Sequence, residues 1–378
     1  MNKESGQKHR ILYLDILRAI AIISISLNHA VNRAFAVQEG QAAETAVLTP
    51  CLNMIKTGVA VFSRIGVPLF LMITGSLMLT RTYFTDKEIR KFYKSNWLNL
   101  FITAEIWFFI MFVIIMVISA PDMFRLASLP KLLLRCILNQ LFVSQKTLGS
   151  MWYMQIIIPM YMLLPVFSLF LHKGFDKWLI PLTGIIIYTQ YLIPAVSAFF
   201  KMNEIPFAVH TDFGGEGIVH YLFVYVLAGY WIHKYRERIR EHVRARTMVI
   251  IWILLFAAVS AYQFYAFQKE MDYVLRYNSP GVALCGIGLF ILVLLVKDVS
   301  EFLRKPIVCL SQISFGIYFV HIIIMEILVR FSAALSESWN PALLMLFYAV
   351  VSVGGSILFI KILSKNSFCK KYMFMIKP

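Results

Sequence analysis

Between residues 11 and 363 one feature returns again and again: runs of about 20 apolar residues, the length that crosses the hydrocarbon core of a bilayer as a helix, joined by short polar connections. No water reaches that depth, so each run must satisfy its own backbone polar groups, which a helix does. By this ruler about ten stretches qualify, at 11–34, 57–80, 97–119, 149–171, 178–197, 218–233, 248–268, 280–297, 306–329 and 341–363. What lies between them is too short for a separate soluble domain. The expectation is therefore an all-α integral membrane protein, a bundle of about ten transmembrane helices forming a single domain over residues 1–378. The first run continues past signal-peptide length without a small-residue cleavage site, so it should remain as a span. Composition agrees: 60% of the chain is hydrophobic and only 15% charged, against roughly 25% charged in a soluble domain.

The net charge of +16 could signal nucleic acid, but the basic residues sit mainly in connections, where the bias of Lys and Arg toward the cytoplasm accounts for them. With the N-terminus (Lys3, Lys8, Arg10) inside, alternate connections carry Arg81, Lys87, Arg90, Lys91 and Lys94, then Lys173 and Lys177, then the run KYRERIREHVRAR at 234–246, then Lys297, Arg304 and Lys305. The tail adds Lys361, Lys365, Lys370, Lys371 and Lys377. The other connections are poorer in base: 35–56 has Glu39, Glu44 and Lys56, and 198–217 has Lys201 against Glu204, Asp212 and Glu216. Both termini are thus expected in the cytoplasm, with no nucleic-acid partner. Residues 120–148, with Arg125, Lys131, Arg135 and Lys146, break the alternation and suggest an interfacial helix or an anionic ligand. The run at 234–246 reads as an inner loop or a lipid-facing basic helix, with phosphate binding as the alternative. Five scattered cysteines without a CxxC pair support neither a disulfide framework nor a metal site.

An ionisable residue inside a span costs about 2.5–3.5 kcal/mol on insertion scales, so those present usually face a bundle interior or a wet cavity. The first span, LDILRAIAIISISLNHA, holds Asp15, Arg18 and His29. Arg18 and His29 are eleven positions apart, which places them on one helical face and about 16 Å apart along the axis. Asp15 lies one turn before Arg18, within ion-pair reach. The second span carries Arg64, with Gly66, Pro68 and Gly75 allowing a kink and close backbone approach. Glu105 in the third span lies near the depth of Arg18, and a salt bridge between them is the structural reading. In the fourth, SMWYMQIIIPMYMLLP, Trp152 and Tyr153 suit an interfacial aromatic belt. The ninth, ISFGIYFVHIIIMEILVR, has Tyr318 and His321 on one face and Glu326 four residues before Arg330. There a hydrogen-bonded histidine tying helices together is as good a reading as a reactive one.

Histidine is the commonest general base at neutral pH, whereas arginine cannot accept a proton but holds phosphates and stabilises developing negative charge. No nucleophile elbow, phosphate-binding loop, HExxH or dinucleotide fingerprint occurs. The chemistry these residues offer is proton abstraction beside cations, which suits acyl transfer to a hydroxyl. A polytopic transporter or flippase using the same polar residues as a substrate or proton path is the reading from another class.

Five motifs in order carry a resemblance. LDILRAIAIISISLNHA, SRIGVPLFLMITGSLM, MWYMQIIIPMYMLLP, YLFVYVLAGYWI and ISFGIYFVHIII resemble successive helices of the membrane-bound acyltransferase 3 family, in look most like its enterobacterial common antigen O-acetyltransferase branch. The resemblance implies a bacterial inner-membrane enzyme that moves an acyl group, usually acetyl from cytoplasmic acetyl-CoA, onto a hydroxyl of an envelope glycan or lipid-linked saccharide. It implies acyl-CoA as donor substrate and no permanently bound cofactor. The family's essential basic residue and histidine fall on Arg18 and His29, and its second-helix arginine on Arg64; Asp15, Glu105, Trp152, Tyr153, Tyr318 and His321 are the further candidates for binding donor or acceptor. In this reading the nucleotide stays near Arg18, the pantetheine arm reaches toward His29, and His29 deprotonates the acceptor or is itself acylated first. A C-terminal esterase-like domain and a fused racemase domain, found in longer members, are not expected.

Overall fold

The structure, a computed structural model, describes residues 10–41, 49–119, 121–125, 128–141, 151–207, 209, 220–269, 275–332 and 339–376. Among the connection charges named above, Lys3, Lys8, Glu44, Lys146, Asp212, Glu216 and Lys377 lie outside these residues. The described residues are 85% helix, with no strand among them. In order the helices are α1 (Leu12–Gln41), α2 (Pro50–Ser63), α3 (Gly66–Met78), α4 (Asp86–Phe92), α5 (Leu98–Ser119), α6 (Leu129–Gln140), α7 (Trp152–Phe170) and α8 (Leu179–Ile187). They continue with α9 (Ile193–Met202), α10 (Phe223–Lys234), α11 (Arg236–His242), α12 (Ala245–Gln268), α13 (Pro280–Leu294), α14 (Glu301–Phe331) and α15 (Pro341–Leu363).

Each apolar stretch of the sequence falls on helix, but they are not equally long. Among the described residues, 7 stretches are long and apolar enough to cross a membrane. Two of the expected spans, 149–171 and 178–197, run together in the helical stretch Trp152–Met202. Two others fall on short helices: α10 has 12 residues and α13 has 15. The second span is divided between two helices. Helix α2 ends at Ser63, Arg64 occupies its C-cap in helical backbone geometry, and α3 starts at Gly66, with Pro68 in the first turn of α3, where its missing N–H costs no helical bond.

The chain packs into two compact units. One comprises Met1–Asn28, Val47–Ser76 and Thr183–Ser314; the other His29–Ala46, Leu77–Leu182 and Phe315–Pro378. Helices α1 and α14 each supply residues to both.

In the first unit glycine decides how closely helices approach. A Cβ on Gly75 would lie 1.8 Å from the carbonyl oxygen of Val226, and one on Gly229 would lie 1.9 Å from that of Met72, so α3 and α10 meet backbone to backbone. Ser76 closes the contact by donating to the Gly229 carbonyl at 2.9 Å. Small residues and interhelical hydrogen bonds of this kind hold helices together where lipid removes the hydrophobic drive. Gly66 plays the same part against α1, its would-be Cβ 2.7 Å from the Ala21 carbonyl.

In the second unit aromatic packing dominates. Trp107 of α5 stacks on Phe319 of α14 with ring centroids 5.3 Å apart and donates to the Met373 carbonyl at 2.8 Å. Trp97 donates to the Ile158 carbonyl of α7 at 3.1 Å, and Ser332 bonds Tyr348 of α15 at 2.7 Å. Within the basic connection, Leu129–Gln140 forms α6, which rests Leu132 on Phe112 and Met116 of α5. It leaves Leu133, Leu134 and Ile137 exposed beside Lys131 and Arg135. An apolar face beside basic residues is the pattern of an interfacial helix.

Candidate functional site

Two clusters of polar side chains occupy the apolar helices, one in each unit. The first is centred on Asp15, near the N-terminus of α1, where the helix dipole favours a negative charge. Asp15 is 4% exposed and accepts four hydrogen bonds. Arg10 donates from Nε at 3.0 Å and Nη2 at 3.1 Å, Arg18 from Nη1 at 3.4 Å, and Ser311 of α14 from Oγ at 2.5 Å. Arg18 also donates to Ser311 Oγ at 3.4 Å. One buried carboxylate thus fixes two guanidinium groups and a hydroxyl. Beside it, Tyr13 bonds His233 of α10, and the 234–246 run becomes the end of α10, the short α11 and the start of α12, where Arg240 donates to the Leu294 carbonyl at 3.3 Å.

Arg64 belongs to the same unit but to a different neighbourhood. Its guanidinium lies over the Tyr277 ring at 5.6 Å from the centroid, and its Nε is buried with no hydrogen-bond partner among the described residues. The residue before it, Ser63, donates to Asn28 at 3.3 Å, tying α2 to α1. Tyr277 lies in the connection before α13, and burial pushes its hydroxyl pKa up while Arg64 draws it partly back.

The second cluster brings together residues from three helices. His29 of α1 and His321 of α14 have ring centroids 5.4 Å apart. Tyr318 lies one turn from His321, at 6.4 Å, and meets Tyr153 of α7 edge-on at 6.0 Å. Tyr153 in turn meets Trp152 at 6.2 Å. Tyr153, Tyr318 and His321 are all buried, so Tyr153 is a core residue rather than part of an aromatic belt. His321 Nδ1 lies 2.7 Å from the Ile317 carbonyl. The histidine therefore bonds its own helix and does not tie two helices together through that nitrogen. Nearer the C-terminal ends of the same helices, Arg33 of α1 pairs with Glu326 of α14.

The six residues Asp15, Arg18, His29, Tyr153, Tyr318 and His321 fall into these clusters, and Trp152 borders the second. Glu105 does not join them as expected. Arg18 pairs with Asp15, whereas Glu105 Oε1 is buried on α5 with no hydrogen-bond partner among the described residues. Depth alone suggested that pair, and depth does not fix rotation about the helix axis. The sequence reading also missed Ser311, Tyr13, His233 and Tyr277. Ser311 had a signal, a small hydroxyl in the span that holds His321; Tyr277 had none, because a loop tyrosine has no periodicity to betray its partner.

The arrangement can abstract a proton at an imidazole and hold an anion at paired arginines. The whole-chain comparison decides between enzyme and carrier. Residues 11–361 match the family model described as an acyltransferase domain. The chain belongs to this acyltransferase family. The match runs from α1 into the last turn of α15 and so takes in both clusters. Comparison with curated proteins and with solved structures finds no match. The acyltransferase is thus a helical membrane protein by family and by its apolar helices, and the transporter reading gives way.

Proposed function

We propose that this membrane acyltransferase moves an acyl group, acetyl in the first instance, from cytoplasmic acyl-CoA to a hydroxyl of an envelope glycan or lipid-linked saccharide, with His29 as general base. The observation that carries the reading is that α1 turns its two functional side chains toward one helix: Arg18 meets Ser311 and His29 meets His321, both on α14. Arg18 and Arg10, held by Asp15, supply positive charge for the donor's phosphates. His29 takes the proton of the acceptor hydroxyl as its oxygen attacks the thioester carbonyl, the C–S bond breaks, and the proton returns to the departing thiolate to give free CoA. Arg64 steadies the carbonyl oxygen as it becomes negative. Tyr153 and Tyr318 offer ring faces and hydroxyls of the sort that receive an acceptor. The resemblance to the enterobacterial common antigen branch supports a glycan acceptor, ten crossings with both termini in the cytoplasm, and the bacterial inner membrane as location.

The test uses purified protein in detergent with radiolabelled acetyl-CoA and membranes from cells lacking the gene as the acceptor source. Label should pass into the glycan or lipid-linked fraction, and mass spectrometry of envelope glycans from cells with and without the gene should differ by acetyl groups. Wild-type protein that transfers no label from any acyl-CoA, together with unchanged glycans, overturns the reading.

A further inference from the structure

In the first unit two buried tyrosines hold the backbone of two half-buried ones. A buried tyrosine hydroxyl needs a hydrogen-bond partner, and here each takes the carbonyl of a connection. Tyr191, 3% exposed, donates to the Tyr221 carbonyl at 3.1 Å, and Tyr225 of α10, fully buried, donates to that of Tyr277. The two buried rings meet edge-on at 6.3 Å, and Asn278 adds a bond to the Gln190 carbonyl at 2.9 Å. The connections that enter α10 and α13 are thus tied to one buried pair. On this support Tyr221 stands edge-on to Tyr191 at 6.1 Å and stacks on the exposed His220, with ring centroids 4.3 Å apart and planes 30° apart.

The tautomer of His220 follows from its partner. The backbone N–H of Leu222 donates to Nδ1 at 3.3 Å; a backbone N–H can only donate, so Nδ1 is a bare lone pair and the neutral ring carries its proton on Nε2. No residue among those described accepts that proton. The surface therefore combines a stacked aromatic pair with one donor lying in the plane of the imidazole. Tyrosines near a membrane surface commonly form a belt against the headgroups. A belt gives no reason for two buried hydroxyls to fix the backbone beneath the rings, or for an imidazole to be stacked there with its tautomer set. Rigid aromatic rings beside a few placed polar groups are instead the make-up of a ligand site, because ordering them in advance lowers the cost of binding.

We infer that His220 and Tyr221 form a binding site for a pyranose ring of the acceptor saccharide. The inference rests on the glycan-transfer reading given above and deepens it. The C–H groups on the flat face of a pyranose carry partial positive charge and settle on the negative face of an aromatic ring. Hydroxyls lie around the sugar's edge, where one accepts the Nε2–H of His220. In the orientation proposed above, the connection before α10 faces the outer side, from which a lipid-linked saccharide arrives. The site binds the acceptor and takes no part in the chemistry, so it sets the acceptor KM and leaves the donor untouched.

Three substitutions in the full chain separate this role from packing. In His220→Asn the side-chain oxygen can still accept from the Leu222 N–H while the ring and its donor are gone; Tyr221→Leu keeps bulk without a π-face, and Tyr221→Phe keeps the face without the hydroxyl. In the labelled transfer assay the acceptor KM should rise about tenfold in His220→Asn and Tyr221→Leu, the equivalent of roughly 1.4 kcal/mol. Tyr221→Phe should stay within about threefold of wild type and the donor KM within about twofold throughout. An unchanged acceptor KM in His220→Asn and Tyr221→Leu, or donor and acceptor KM rising together in variants that melt like wild type, overturns the inference and leaves the transfer reading standing. Saturation-transfer NMR without acetyl-CoA, with the β-linked disaccharide of N-acetylglucosamine as probe, tests the site apart from chemistry and needs no variant to fold. Saturation should pass from wild-type protein to the ring C–H protons of the sugar and fall sharply in His220→Asn; none in wild type, or as much in a folded His220→Asn, overturns the site. Wild-type protein that saturates the disaccharide yet transfers no label would instead sink the transfer reading alone.

Discussion

Asp15→Asn changes one oxygen to an NH2 group and tests whether a single carboxylate organises the donor end of α1. The native carboxylate accepts four hydrogen bonds, from Arg10 twice, Arg18 and Ser311. Oδ2 takes only Arg10 Nε, whereas Oδ1 takes Arg10 Nη2, Arg18 and Ser311, so an amide that keeps its oxygen at the Oδ1 position turns its NH2 group toward Arg10 Nε. One charge-assisted bond disappears, and those from Arg10 Nη2 and Arg18 weaken to bonds with a neutral oxygen. Such bonds contribute about 1.5–3 kcal/mol each in a buried setting, but Arg10 and Arg18 are 43% and 28% exposed, so water restores part of the loss, and about 1 kcal/mol for the broken bond with about as much again for the two weakened ones is the better figure. The expected cost is therefore about 2 kcal/mol, a fall of a few degrees in Tm. Function should respond more sharply. With Arg18 held only by neutral oxygens, the acetyl-CoA KM should rise about tenfold, the equivalent of roughly 1.4 kcal/mol, while kcat, set at His29, should fall less. The assay is thermal unfolding in detergent alongside donor titration in the labelled-transfer reaction. A Tm within one degree of wild type together with an unchanged donor KM would show that the carboxylate neither stabilises this cluster nor positions Arg18.

Other perturbations follow from the same geometry. His29→Ala should abolish transfer while leaving membrane insertion normal, since a methyl group partitions into lipid better than an imidazole; glycan acetylation at wild-type level in that variant would remove the central claim. Arg18→Lys should keep much of the activity that Arg18→Ala loses if charge rather than the planar fork matters, and equal activity in all three would make Arg18 a partner of Asp15 only. Gly75→Ala places a Cβ 1.8 Å from the Val226 oxygen. Relief requires α3 and α10 to part by about 1.5 Å, which breaks the Ser76 bond to Gly229 and costs roughly 3 kcal/mol in overpacking and lost hydrogen bonding; unaltered thermal stability would show that the contact yields more easily than its distances imply.

A bilayer imposes a simple test on sequence, and this chain answers it plainly. Apolar runs of span length must be helices because no other local structure satisfies a backbone in hydrocarbon, and every such run is helical here. For the same reason the polar exceptions were visible: Asp15, Arg18, His29, Arg64, Glu105 and His321 stand out against their neighbours, and the order of motifs pointed to the acyltransferase family that the domain match establishes. Spacing along one helix also gave the Asp15–Arg18 pair, because partners one turn apart need no tertiary information. What sequence could not supply was rotation and partnership between helices. Glu105 has the depth to meet Arg18 but finds no hydrogen bond for Oε1, Glu326 pairs with Arg33 rather than with Arg330 four residues away, and Tyr153 turns into the core. Length and polarity are properties of a segment and can be read from it. That the ring of His321 meets the ring of His29 depends on how α1 and α14 are turned against each other, and only packing sets that angle.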